Sequence, residues 1–105
     1  MADIIKIRAR LEDGVTEVRM LMGHPMETGR RRNDVGELVP AHFIQVVTVT
    51  LNGKAVLEAQ WGTGISKNPY LTFRLRQAKV GDKIHVIWYD NLGESNSVET
   101  TVGAA

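Results

Sequence analysis

The sequence predicts an all-β fold, an immunoglobulin-like β-sandwich of about seven short strands. Three observations point there. Apolar and polar residues alternate with a period of two through most of the chain. Turn signals built on Gly, Asn and Asp recur between the alternating runs. No stretch carries the apolar period of an amphipathic helix. With 105 residues, the chain fits a single domain over 1–105 with one modest core.

Ile5, Ile7, Ala9 and Leu11 alternate with Lys6, Arg8, Arg10 and Glu12, the pattern of a half-buried strand. Asp13-Gly14 then turns the chain, and a second strand runs from Val15 to Met22 with Val18, Met20 and Met22 on one face. The third strand, from His42 to Leu51, is rich in β-branched residues. It is apolar on both faces, as a central strand would be. Asn52-Gly53 is the strongest short hairpin signal in the chain, and the fourth strand returns from Lys54 to Trp61. Leu71, Phe73 and Leu75 mark the fifth strand; Pro69 before it biases Asn68 towards an extended conformation. Val80-Gly81-Asp82 leads into the sixth, where Ile84, Val86 and Trp88 oppose His85, Ile87 and Tyr89. After the turn Asp90-Asn91-Leu92-Gly93, a seventh strand runs from Ser97 to Val102. The Cys–Trp–Cys signature of antibody domains is absent.

One segment breaks this rhythm. From Gly23 to Ala41 the chain is polar and without period, a length that in compact domains marks functional or disordered loops. A short excursion hairpin turning at Asn33 to Gly36 fits inside it.

Composition narrows the functional classes. The formal net charge is +1, so nucleic acid or an acidic membrane would need a local patch. There is no cysteine, hence no disulfide frame, thiolate nucleophile or Cys-ligated metal. The N-terminal residues are interrupted by charge at once and predict no signal peptide, and no run is long enough to span a membrane.

No catalytic set stands out. The serines Ser66, Ser95 and Ser97 sit in turns or at a strand start, without a nucleophile elbow. His24, His42 and His85 share no metal-binding spacing, although His24 and His42 flank the long loop and can approach each other. They read as surface or interface histidines; a metal site of His24, Glu27 and Asp34 is the weaker reading. Arg30, Arg31 and Arg32 form the one basic run, offset by Glu27, Asp34 and Glu37. Met20 and Met22 read as core, Met26 as surface. Tyr70 reads equally as a half-buried strand residue or an interface ring.

The ordered motifs carry a resemblance. His24-Pro25-Met26-Glu27-Thr28-Gly29-Arg30 is followed by Asp34, Gly36, Leu38 and Pro40. Asn52-Gly53, Ser66-Lys67-Asn68-Pro69-Tyr70 with Phe73, and Trp88-Tyr89-Asp90-Asn91-Leu92-Gly93 come later. In this order and at this separation the set resembles the Z subunit of the bacterial thiosulfate-oxidising (Sox) carrier complex, over nearly the whole chain. The one departure is the shorter turn Asp13-Gly14-Val15, where the family often has an Ala-Gly-Glu style turn. The resemblance implies a β-sandwich paired with a Y subunit, whose mobile Gly-rich tail carries sulfur intermediates on one cysteine. It implies no catalytic residue, no cofactor and no metal on this chain, and transient contact with other Sox enzymes. Neither nucleic-acid nor membrane binding is expected, from the near-neutral charge, the lack of aromatics beside the basic run and the absence of a spanning stretch. The resemblance also implies the periplasm, reached by export with the Y subunit. The candidate partner-binding residues are His24, Met26, Glu27, Thr28, Arg30, Arg31, Asn68 and Tyr70. A generic sandwich module for ligands or carbohydrate is the alternative from another class, and a small hydrolase or metal enzyme built on His24 and His42 is a third.

Overall fold

The structure, a computed structural model, describes residues 5–104. It is a two-layer β-sandwich with no helix among the described residues. The strands are β1 (Ile5–Glu12), β2 (Val15–Met22), β3 (Ile44–Leu51), β4 (Lys54–Gln60), β5 (Tyr70–Leu75), β6 (Lys83–Asp90), β7 (Ser95–Thr101) and β8 (Gly103–Ala104). One sheet has the order β5-β2-β1-β8, the other β4-β3-β6-β7. The described residues thus hold the seven expected strands and one more. The addition is the two-residue β8, too short for a period, which pairs parallel to β1 through Arg10↔Gly103.

Local chemistry accounts for the hairpins. Asp13 and Gly14 both take positive φ, as do Asn52 and Gly53, which is the twist a two-residue hairpin needs. β3 lies between β4 and β6, and the strands' inward side chains fill the layer between the sheets: Val18, Met20 and Met22 from one sheet, Val47, Val49, Ile84, Val86 and Trp88 from the other. β3 begins at Ile44, two residues later than the sequence suggests, because His42 pairs in an isolated bridge with Glu27 instead.

The segment 23–41 has its own structure. Arg32 bridges Leu38, and the turn between them is closed by Asn33. Its N–H donates to Glu37 O at 2.8 Å, and its Oδ1 accepts from Val35 N at 3.1 Å and Glu37 N at 3.0 Å. This is the excursion hairpin expected at Asn33 to Gly36. It forms an arm: every residue from 30 to 38 is exposed.

The register puts the C-terminal ends of β2 and β6 and the N-terminal ends of β3 and β5 at one end of the sandwich, through Leu21↔Tyr70 and Ile44↔Asp90. The long segment, the 61–69 loop and the β6–β7 turn all leave from that end.

Candidate functional site

Three of the sequence motifs meet at this end, around one carboxylate. Asp90 closes β6, and its side chain is fully buried. Oδ1 accepts the backbone N–H of Leu92 at 3.0 Å and of Glu94 at 2.9 Å, which shapes the β6–β7 turn. Oδ2 accepts Nε2–H of His24 at 3.1 Å and of His42 at 2.7 Å. Burial works against a charge on Asp90, but the hydrogen bonds from His24, Glu94, His42 and Leu92 outweigh it and hold the carboxyl below its ordinary value.

His24 is equally enclosed. Its ring stacks edge-on against His42, with centroids 4.6 Å apart, and against Trp88 at 5.0 Å. Nδ1 accepts the backbone N–H of Met26 at 3.0 Å, so the ring proton sits on Nε2, facing Asp90. The neighbouring loop clamps the same residue. His24 N–H donates to Asn68 Oδ1 at 3.1 Å, and Asn68 N–H donates to His24 O at 2.9 Å. That two-point clamp holds Asn68 at φ 52°, a left-handed conformation rather than the extended one expected before Pro69. Asn91 ties the other flank: its Oδ1 accepts from Phe43 N at 2.7 Å, and its Nδ2 donates to Ala41 O at 2.9 Å.

The metal-ligating atoms of His24, His42 and Asp90 lie within 4.8 Å of one another. The donor set nevertheless does not fit a metal ion. A cation on His24 Nε2 would displace its proton while Nδ1 already accepts the Met26 N–H. The ring would then have to be an imidazolate, or the buried N–H would lose its partner. The arrangement is a closed hydrogen-bond network in which every Asp90 lone pair is used. Glu27 and Asp34 take no part. Glu27 pairs with Arg31 at 2.7 Å, which holds its carboxyl below the ordinary value, and Asp34 sits on the exposed arm.

The candidate partner-binding residues divide. Two expectations are corrected: Met26 and His24 are buried, not surface. Met26 bends inward at φ 47°, and its sulfur accepts the Ile44 N–H at 3.3 Å, so its side chain continues the core beneath the loop. Thr28, Arg30, Arg31, Asn68 and Tyr70 are exposed, and Glu27 is half-buried. Asp90, Asn91 and His42, which organise the site, are missing from the sequence-derived set. The available signal was an Asp-Asn turn directly after the buried strand that carries Trp88.

The family model described as "Sulphur oxidation protein SoxZ" matches residues 5–101. No curated protein sequence matches the chain. Among solved structures, the chain is similar to superoxide reductase (neelaredoxin) from Archaeoglobus fulgidus in the reduced form. The identity is 20% and the TM-score 0.64, covering 96% of this chain and 88% of that one. A variant of that enzyme, also reduced, gives 20% identity and a TM-score of 0.63, with 97% and 87% covered. At this identity the likeness shows a shared sandwich fold alone.

Proposed function

The chain belongs to the SoxZ family of sulphur oxidation proteins, and from that premise we propose that it is the non-catalytic subunit of a periplasmic sulfur carrier complex. In this reading one sandwich domain scaffolds a Y subunit, whose C-terminal cysteine carries the sulfur intermediates. The family match over residues 5–101 carries the proposal. Two physical points support it. A chain without cysteine has no thiol to hold sulfur covalently, so the cargo rides on another subunit. The only His–Asp cluster among the described residues is spent on holding loops together, and its His24 and Asp90 side chains are sealed from solvent.

The arm is the proposed partner surface. An isolated two-stranded hairpin is marginal in water, and this one exposes Val35 by 77% and Leu38 by 54%. Packing those side chains against the Y subunit would stabilise the arm and the complex together. Glu27, Thr28, Arg30 and Arg31 at its base, with Asn68 and Tyr70 at the same end of the sandwich, form the polar rim. The domain folds without disulfides, which suits assembly in the cytoplasm and export with the partner.

The test is co-purification with a Y subunit ending in a Gly-rich, single-cysteine tail. The wild-type chain binds it, and the double variant Val35→Ser with Leu38→Ser loses most of that binding while its unfolding transition stays in place. Equal recovery of the partner by the variant would move the interface elsewhere. No recovery by the wild-type chain would remove the scaffold reading.

A further inference from the structure

We propose that the outer face of the β5-β2-β1 sheet is a second, transient docking surface for a protein that presents a cluster of carboxylates. The alternation that buries Ala9 and half-buries Ile5 and Ile7 turns Lys6, Arg8 and Arg10 outward. The register then lays out three cross-strand rows on this face: Lys6, Leu21, Tyr70; Arg8, Arg19, Thr72; Arg10, Glu17, Arg74. Five cations share this grid with one carboxylate, in a chain whose net charge is only +1.

The local pairing is unusual. Arg8 and Arg19 are direct cross-strand partners, and like charges opposite each other weaken a β-pair. Glu17 is already engaged, with Arg19 at 2.7 Å and with Arg74 at 3.6 Å. A groove lined by Lys6, Arg8, Arg19, Leu21 and Tyr70 runs beside the pair. Nothing in the sandwich core needs this concentration of charge, and an anionic surface laid across it would relieve the repulsion.

Size and chemistry choose the occupant. Three strands and two residue-pairs of length make a patch of about 10 by 14 Å, too broad for one tetrahedral oxyanion and matched to several carboxylates on a protein. The low net charge gives little long-range pull on a polyanion such as DNA. Tyr70, where the grid borders the rim beside the arm, is the single ring on the grid, which offers no series of stacking platforms for single strands. Charged residues are depleted from the centres of permanent interfaces and favour fast, salt-sensitive encounters. The face therefore suits a visitor, whereas the arm suits the standing partner. The visitor's place in the carrier cycle rests on the function proposed above; the charge pattern stands without it.

The test uses the full-length chain, isotope-labelled, titrated with a ten-residue glutamate peptide at low ionic strength and followed by amide chemical shifts. Shifts on β1, β2 and β5 are expected, fading as salt is added. The double variant Arg8→Gln with Arg10→Gln should weaken peptide binding about five- to tenfold. It should still co-purify with the Y subunit and unfold no earlier than wild type. The control Arg30→Gln with Arg31→Gln should bind the peptide as wild type does. Shifts confined to the arm, no binding by the wild-type chain, equal binding by the Arg8 and Arg10 variant, or tighter binding of a DNA duplex or of free sulfate at equal charge would each overturn the proposal. Loss of Y-subunit binding in the Arg8 and Arg10 variant would show one shared interface, and would overturn the separation into two.

Discussion

His24 and Asp90 stand 66 positions apart in the chain, yet Nε2 of one meets Oδ2 of the other at 3.1 Å with both side chains sealed from solvent. The contact joins the start of the irregular segment to the end of a core strand. His42, Asn68 and Asn91 fasten the same junction from three further directions. The arm is thus rooted in the sandwich by polar contacts rather than by apolar packing alone.

Asp90→Asn should destabilise the fold by about 3 kcal/mol. Both oxygens of Asp90 face N–H donors, and the amide has only one oxygen: set at Oδ2 it accepts both imidazole protons but turns its NH2 on the Leu92 and Glu94 donors, and flipped it turns its NH2 on His24 and His42. Urea unfolding should show a lower midpoint with an unchanged slope. A midpoint equal to wild type would mean that the network contributes nothing to stability.

Acid should act through the same residue. The unfolded carboxyl titrates at about 3.9, and the folded one is held below its ordinary value. The unfolded chain therefore binds the proton more readily, and the contribution of Asp90 is complete above the unfolded value. It is lost as pH falls through the folded value. Asp82 and Glu27 are also lowered and act with the same sign. The stability gap between wild type and Asp90→Asn, measured by urea unfolding, should stay constant at neutral pH and close in strong acid. A gap that persists in acid would assign the effect to shape rather than charge.

Met26→Ala should cost about 3 kcal/mol, the usual loss for truncating a buried side chain. A surface methionine would cost almost nothing, so thermal unfolding of this one variant separates the two placements.

Thr16→Val should raise stability by about 1 kcal/mol. Thr16 is fully buried on β2, and its hydroxyl has no hydrogen-bond partner. Valine keeps the shape and removes the unmatched group. A drop in the unfolding midpoint would show that the hydroxyl is satisfied in solution.

The strands were legible because burial imposes a two-residue period, and Asp13-Gly14 and Asn52-Gly53 announce their turns by residue type. The excursion hairpin was legible from Asn33 and Gly36 for the same reason. Met26 was misplaced because a lone methionine among polar neighbours has no period to declare its face; its positive φ turns it inward. Asn68 was misjudged because the proline rule is local, and a clamp from His24 overrides it. The site was only half legible. The sequence showed that His24 and His42 can approach, but the carboxylate between them comes from a turn far along the chain. In the sequence Lys6, Arg8 and Arg10 read only as the wet side of a strand, not as a basic face. The face emerged only when the register set Arg19 and Arg74 beside them.

The reach from His24 to Asp90 also sets an order of events during synthesis. The residues that open the arm leave the ribosome early, and their anchors leave late. Until Asp90, Asn91 and Glu94 have emerged, His24 has no carboxylate to donate to and Ala41 has no amide to receive. Closing so long a span is among the slower steps a small β-protein takes. A chain that stops short of Asp90 therefore lacks the contacts that root the arm in the sandwich. On the proposed reading of the arm as a partner surface, the wiring of the fold would tie assembly to a completed chain.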